Sequence, residues 1–148
     1  MKKSILIWVV LLITTASFSF ANPYDEINNA VKTSFKKDFG NASEVKWANQ
    51  NGFDVATFNL NGRVTFAYYS ETGNLVAVTR NILSTQLPIR QLLSLEKNYK
   101  GYWITDLFEI DTNQETAYYI SLENADTKLV LKSDSVDIWN EFQKETKE

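Results

Sequence analysis

Two carboxylates and two tyrosine pairs are the side chains of this sequence whose types and spacing could do chemistry. Glu109 and Glu123 fall on neighbouring candidate strands, where an acid and base of the glycosidase kind could face each other. Nothing in the sequence fixes their separation, and surface carboxylates are ordinary in an acidic chain. Asp111, Thr112, Asn113, Gln114 and Glu115 look like part of a calcium loop. They lack the glycine of its sharp turn and the distant bidentate glutamate, so a hairpin turn accounts for them better. There is no His and no Cys. A Ser-His-Asp or Cys-His device is therefore impossible within the chain, and so is an ordinary zinc site. Acid–base work would fall to Asp or Glu alone. No Gly-rich phosphate loop occurs. The expectation is a protein that is not an enzyme, with no catalytic residue, cofactor or metal.

The aromatic residues carry more. Ala67-Tyr68-Tyr69 returns as Ala117-Tyr118-Tyr119, and Trp47 and Trp103 also lie on candidate strands. Neighbouring residues of a strand point to opposite faces, so each Tyr pair is split between two faces. Val64, Phe66 and Tyr68 form the bulkier set and are expected in the core. Tyr69 is then expected outside, and by the same argument Tyr119. Tyr69, Tyr119, Trp47 and Trp103 become candidates for a protein-binding face, because Tyr and Trp supply large contact area at low entropic cost. Ordinary packing between sheet and helix is the competing account.

The elements that would position these residues are legible. Asn22-Pro23 can open a helix. Ile27, Val31, Phe35 and Phe39 then recur every four residues up to Gly40, a C-terminal stop. Four strands follow, over residues 44–48, 53–60, 63–70 and 74–82, joined by Asn51-Gly52, Asn61-Gly62 and the turn 70–74. Pro88 starts a second helix, with Ile89, Leu92, Leu95 and Tyr99 defining its faces. Strands over 102–111, 115–123 and 128–132 come next. Residues 136–144 alternate as a strand, although Ile138, Trp139 and Phe142 could also line a helix. The strand is preferred because the turn before it is hairpin-like. Residues 145–148 are charged and are expected to fray. The pattern predicts an α+β fold: a tandem helix-plus-antiparallel-strands repeat (about 22–83 and 84–144), its helices on one face of a shared curved sheet.

Residues 1–21 stand apart. Lys2-Lys3 precede an apolar run over 5–13, and Ser19-Phe20-Ala21 fits a small-x-small cleavage site. They read as a signal peptide cut after Ala21, which leaves residues 22–148 as one domain, periplasmic or secreted. Cleavage takes Lys2 and Lys3 from the 15 basic residues, leaving 13 against 18 acidic and a net charge of −5. Nucleic acid is a poor partner for such a chain. The rest of the sequence holds no apolar stretch long enough to span a membrane.

A resemblance rests on Phe35-Lys36-Lys37-Asp38-Phe39, Val45-Lys46-Trp47, Asn61-Gly62, Ala67-Tyr68-Tyr69-Ser70, Gly73-Asn74-Leu75-Val76-Ala77, Leu87-Pro88, Tyr99-Lys100-Gly101-Tyr102 and Tyr118-Tyr119. In order and spacing these resemble the PepSY-like, β-lactamase-inhibitor-like family of small exported bacterial proteins. The likeness spans essentially all of residues 22–148. It implies two repeats sharing a curved antiparallel sheet. The inhibitor side implies a protein-binding sheet face, and the PepSY side implies peptidase inhibition or envelope regulation. Neither transfers a catalytic residue. The inhibitor proper is stapled by disulfides, and this chain has no Cys, so β-lactamase inhibition is not inferred. The expected function is a binding module engaging a protein or peptide of the cell envelope through the open sheet face. The alternative is a carrier holding a small apolar ligand between helix and sheet, beside Val31, Phe35, Leu92 and Leu95.

Overall fold

The computed structural model describes residues 27–113, 115–133 and 139–147. Its elements are α1 (Asn29–Asp38), β1 (Ser43–Gln50), β2 (Phe53–Leu60), β3 (Arg63–Tyr69), β4 (Leu75–Asn81), a 3-10 turn (Ser84–Gln86), α2 (Ile89–Asn98), β5 (Trp103–Asp111), β6 (Thr116–Glu123), β7 (Thr127–Ser133) and β8 (Asn140–Thr146). The strands form one eight-stranded antiparallel sheet in chain order. This corrects the predicted fold class. The molecule is mainly β, not an α+β tandem repeat of helix plus strands. Both amphipathic stripes do coil, but each helix has only ten residues, about 15 Å at the α-helical rise. The strands dominate. The signal-peptide reading and the Asn22-Pro23 helix start lie outside the described residues, as do residues 134–138, which take in the first three positions of the last segment.

The contacts divide the chain at residue 77 into two compact units. In the first, Asn28 caps α1 by accepting the Ala30 N–H at 2.9 Å. Val31 and Phe35 point from the helix onto Ala56, Phe58, Ala67 and Tyr69 of β2 and β3. Ala56 and Ala67 are cross-strand partners, and their small side chains leave room for the Phe35 ring. The two-residue turns Asn51-Gly52 and Asn61-Gly62 hold positive φ at both positions, 49° and 83°, then 53° and 80°. That is the geometry that closes tight hairpins with the correct twist.

In the second unit, Leu95 of α2 packs with Leu107, Ile120, Leu122, Leu129, Leu131 and Trp139. The indole N–H of Trp139 donates to the Gln91 carbonyl at 3.0 Å, fastening the chain to α2 before β8 begins. On the opposite face of β5 and β6, Phe108 stacks on Tyr119 with centroids 5.4 Å apart, and Phe142 meets Tyr119 edge-on at 5.6 Å. The described end of the ambiguous segment is thus a strand, β8, paired with β7.

Candidate functional site

The expected exposure of Tyr69 and Tyr119 is not found. Tyr69 is 0% and Tyr119 1% exposed. In β3 the predicted faces are inverted: Thr65, Ala67 and Tyr69 are buried, while Val64 is open to solvent. Bulk was the wrong criterion, since the helix docks where the alanines are. Tyr68 is buried as well, so β3 is covered on both sides at this point. The Tyr69 hydroxyl donates to Asp38 Oδ2 at 3.1 Å. Burial, then the Asp38 charge and that hydrogen bond, push its pKa well above the usual tyrosine value. Trp47 is half-buried in the same cluster, its ring 5.2 Å from Phe35.

Trp103 is different, with 52% of its surface exposed and Ile104 beside it at 44%. Trp103 opens β5, just before a bulge between Ile104 and Asp106, a device that re-aims side chains. Its cross-strand partner is Glu123, whose partner is Lys128, whose partner is Glu145. Directly opposed residues share a face. One row across β5, β6, β7 and β8 therefore reads Trp-Glu-Lys-Glu. It lies on the face away from α2, because Leu122, next to Glu123, belongs to the cluster under that helix.

Charge organises the row. Lys128 Nζ is 4.0 Å from Glu123 Oε1. From just beyond β8, Lys147 Nζ reaches Glu123 Oε2 at 2.8 Å and the Asn124 carbonyl at 3.0 Å. The same ammonium lies 5.4 Å from the centroid of the Trp103 ring. The Lys147 hydrogen bond, with the charges of Lys147 and Lys128, holds the Glu123 pKa below the usual carboxylate range against the opposing pull of burial. The fraying expected of the charged tail is not found at Lys147, which also donates its backbone N–H to the Asp126 carbonyl at 2.8 Å. No local pattern marks this residue, because its contacts come from the register of three hairpins.

The other candidates separate. Glu109 is paired with Arg80 at 2.9 Å and stands opposite Tyr118, whereas Glu123 stands opposite Trp103. Positions 118 and 123 of β6 face opposite ways. Along β5 the two sites are six residues apart, about 20 Å, beyond the roughly 5–9.5 Å of a glycosidase pair. The calcium-like stretch turns on itself, with Thr112 N–H donating to the Glu115 carbonyl at 3.0 Å. Among the described residues, no three His, Cys, Asp or Glu side chains converge to hold a metal ion, and no helix is long and apolar enough to cross a membrane.

No family model matches this chain, and no curated protein does. Solved structures do match. A BLIP-like (β-lactamase-inhibitor-like) protein from Bacteroides fragilis NCTC 9343 is 18% identical, with TM-score 0.70, over 83% of this chain and 88% of that one. A DUF2874 family protein from Bacteroides ovatus ATCC 8483 is 17% identical, with TM-score 0.73, over 82% and 89%. A provisionally periplasmic protein from Bacteroides eggerthii DSM 20697 is 12% identical, with TM-score 0.72, over 82% and 89%. At these identities the likeness establishes a BLIP-like fold. It gives no specific support to the PepSY half of the resemblance.

Proposed function

We propose that this chain is an exported binding module, not an enzyme, which engages a protein or peptide of the cell envelope in the manner of an inhibitor or regulator. The observation that carries this reading is the exposed Trp103, held at the end of a charged row where β5 begins. A half-exposed Trp on a sheet is expensive to leave in water and is a typical interface anchor. Tyr69 and Tyr119 are buried in the packing of their own units, and Trp47 is half-buried against Phe35, so none of the three stands in for Trp103. Support for export comes from residues 1–21 and from the periplasmic description of one structural neighbour. The BLIP-like neighbour supports a protein as the ligand. The carrier alternative loses ground because the residues meant to line its cavity are spent on packing: Val31 is fully buried, and Phe35 lies 5.0 Å from the Phe58 ring.

The test is photo-cross-linking in intact cells from probes placed at Lys128 and Glu145, the exposed members of the row on β7 and β8. We expect one protein to be recovered from both positions, and its yield to fall about tenfold in a Trp103→Ala background, the size of a hot-spot loss. Recovery that is indifferent to Trp103, with the fold intact, would remove Trp103 as the anchor. No cross-linked protein from either site would remove the binding reading.

A further inference from the structure

The ammonium of Lys147 sits in a place already built for an ammonium. It has the π-face of Trp103 at 5.4 Å on one side. A carboxylate oxygen of Glu123 at 2.8 Å and the Asn124 carbonyl at 3.0 Å receive its protons. Ring, carboxylate and carbonyl together are the elements that recognise a cation of this kind. The present occupant is weakly held. The Lys147 side chain is 36% exposed, and exposed ion pairs contribute little to stability. Half of Trp103 stays uncovered even with Lys147 in place, so an incoming group has a ring surface on which to land.

We propose that Trp103, Glu123 and the Asn124 carbonyl form a lysine-binding subsite, and that Lys147 is an internal stand-in for a lysine side chain on a basic segment of the partner protein. This rests on the binding-module reading and names its partner's chemistry. A lysine fits better than an arginine. The second Glu123 oxygen already faces Lys128 at 4.0 Å, which leaves one oxygen for the newcomer. Bidentate pairing with a guanidinium fork needs both, whereas an ammonium is a point charge satisfied by one oxygen and a carbonyl. The acidic balance of the chain, with 18 acidic against 15 basic residues, favours the approach of a basic segment. Exchange is electrically neutral at the site, since one ammonium replaces another.

The probe is the pentapeptide acetyl-Gly-Gly-Lys-Gly-Gly-amide, followed by NMR at the Trp103 indole N–H and the Asn124 backbone N–H. In the Lys147→Met variant, which keeps the aliphatic stem and the backbone bond to Asp126, we expect saturable shifts with affinity about tenfold above wild type. The arginine analogue should bind more weakly, and the norleucine analogue should shift neither signal. Adding Glu123→Gln should abolish the response. Wild type must reach the same end point at higher peptide concentration, so the idea stays exposed to refutation even if Lys147→Met disturbs the strand end. Equal affinity in wild type and Lys147→Met, or equal binding of the norleucine analogue, overturns the subsite. If the peptide fails while cross-linking beside Trp103 still recovers a partner, the subsite falls and the binding reading stands. If the peptide binds but nothing cross-links, ammonium recognition stands and the partner reading falls.

Discussion

A phenol fully buried on a strand and hydrogen-bonded to a carboxylate makes Tyr69 a clasp between β3 and the end of α1. Replacing it with Phe keeps the ring contacts and removes only the bond to Asp38, so urea unfolding should show a loss of about 1 kcal/mol. Tyr69→Ala also opens a cavity against Phe35, and the loss should be about 3–5 kcal/mol. The raised pKa has a sign that can be checked. The folded value lies above the unfolded one, ordinarily 10.0, so the contribution is intact below about pH 10 and is lost as pH climbs from there towards the folded value. Tyr69→Phe should therefore lose stability less steeply than wild type above pH 10. The position of Tyr69 was only half legible. Alternation sorts a strand's residues into two sets, but it does not say which set a helix will cover. Here Ala56 and Ala67, opposed across two strands, accept Phe35, and the decisive residues were the small ones rather than the bulky ones.

Turns were the most readable elements, because their conformations are demanded locally. Asn51-Gly52 and Asn61-Gly62 close hairpins where their residue types require. The turn before β4 adds a tertiary demand that no local pattern reveals. Gly73 has φ +82°, and a Cβ there would lie 3.0 Å from the backbone carbonyl carbon and oxygen of Ala30 in α1. Asn28 also donates to the Glu71 carbonyl in the same turn at 3.1 Å, so the helix start and the turn are docked together. Gly52 at φ +83° has nothing within 4 Å of the same virtual atom. Gly52→Ala should then cost about 1 kcal/mol, the left-handed backbone term alone. Gly73→Ala should cost about 2–4 kcal/mol, because α1 must also move. Thermal unfolding of the two variants side by side measures the difference, and equal losses would show that the turn yields without disturbing α1. The last strand was less legible. β8 was ambiguous because Trp139 and Phe142 suit either period. It is a strand because Trp139 is tied to Gln91 and the segment after it pairs with β7. Those partners lie far away in sequence.

At the scale of the molecule, the order of β1 to β4 and of β5 to β7 followed from the hairpins, since each of those turns is short enough to leave its two strands antiparallel neighbours, whereas β4 and β5 pair although α2 lies between them in the chain. The balance of helix and sheet did not follow. An amphipathic stripe announces that a helix exists but not how far it runs, and among the described residues two ten-residue helices beside eight strands make a mainly β protein. Nor was the charged row legible, since its four members become neighbours only through the register of three successive hairpins. The proposed site needs a compartment where a partner can reach it, and this makes residues 1–21 the feature on which the whole reading depends. The proposed cleavage after Ala21 would require the small residues Ser19 and Ala21, which a processing site of this kind must admit. Mass spectrometry of protein recovered from the periplasmic fraction should give a chain beginning at Asn22. Ala21→Leu should leave the leader attached and the protein held at the membrane, because the apolar run over residues 5–13 then remains joined to it. A full-length soluble chain in the cytoplasm would overturn export, and with it an envelope partner for Trp103.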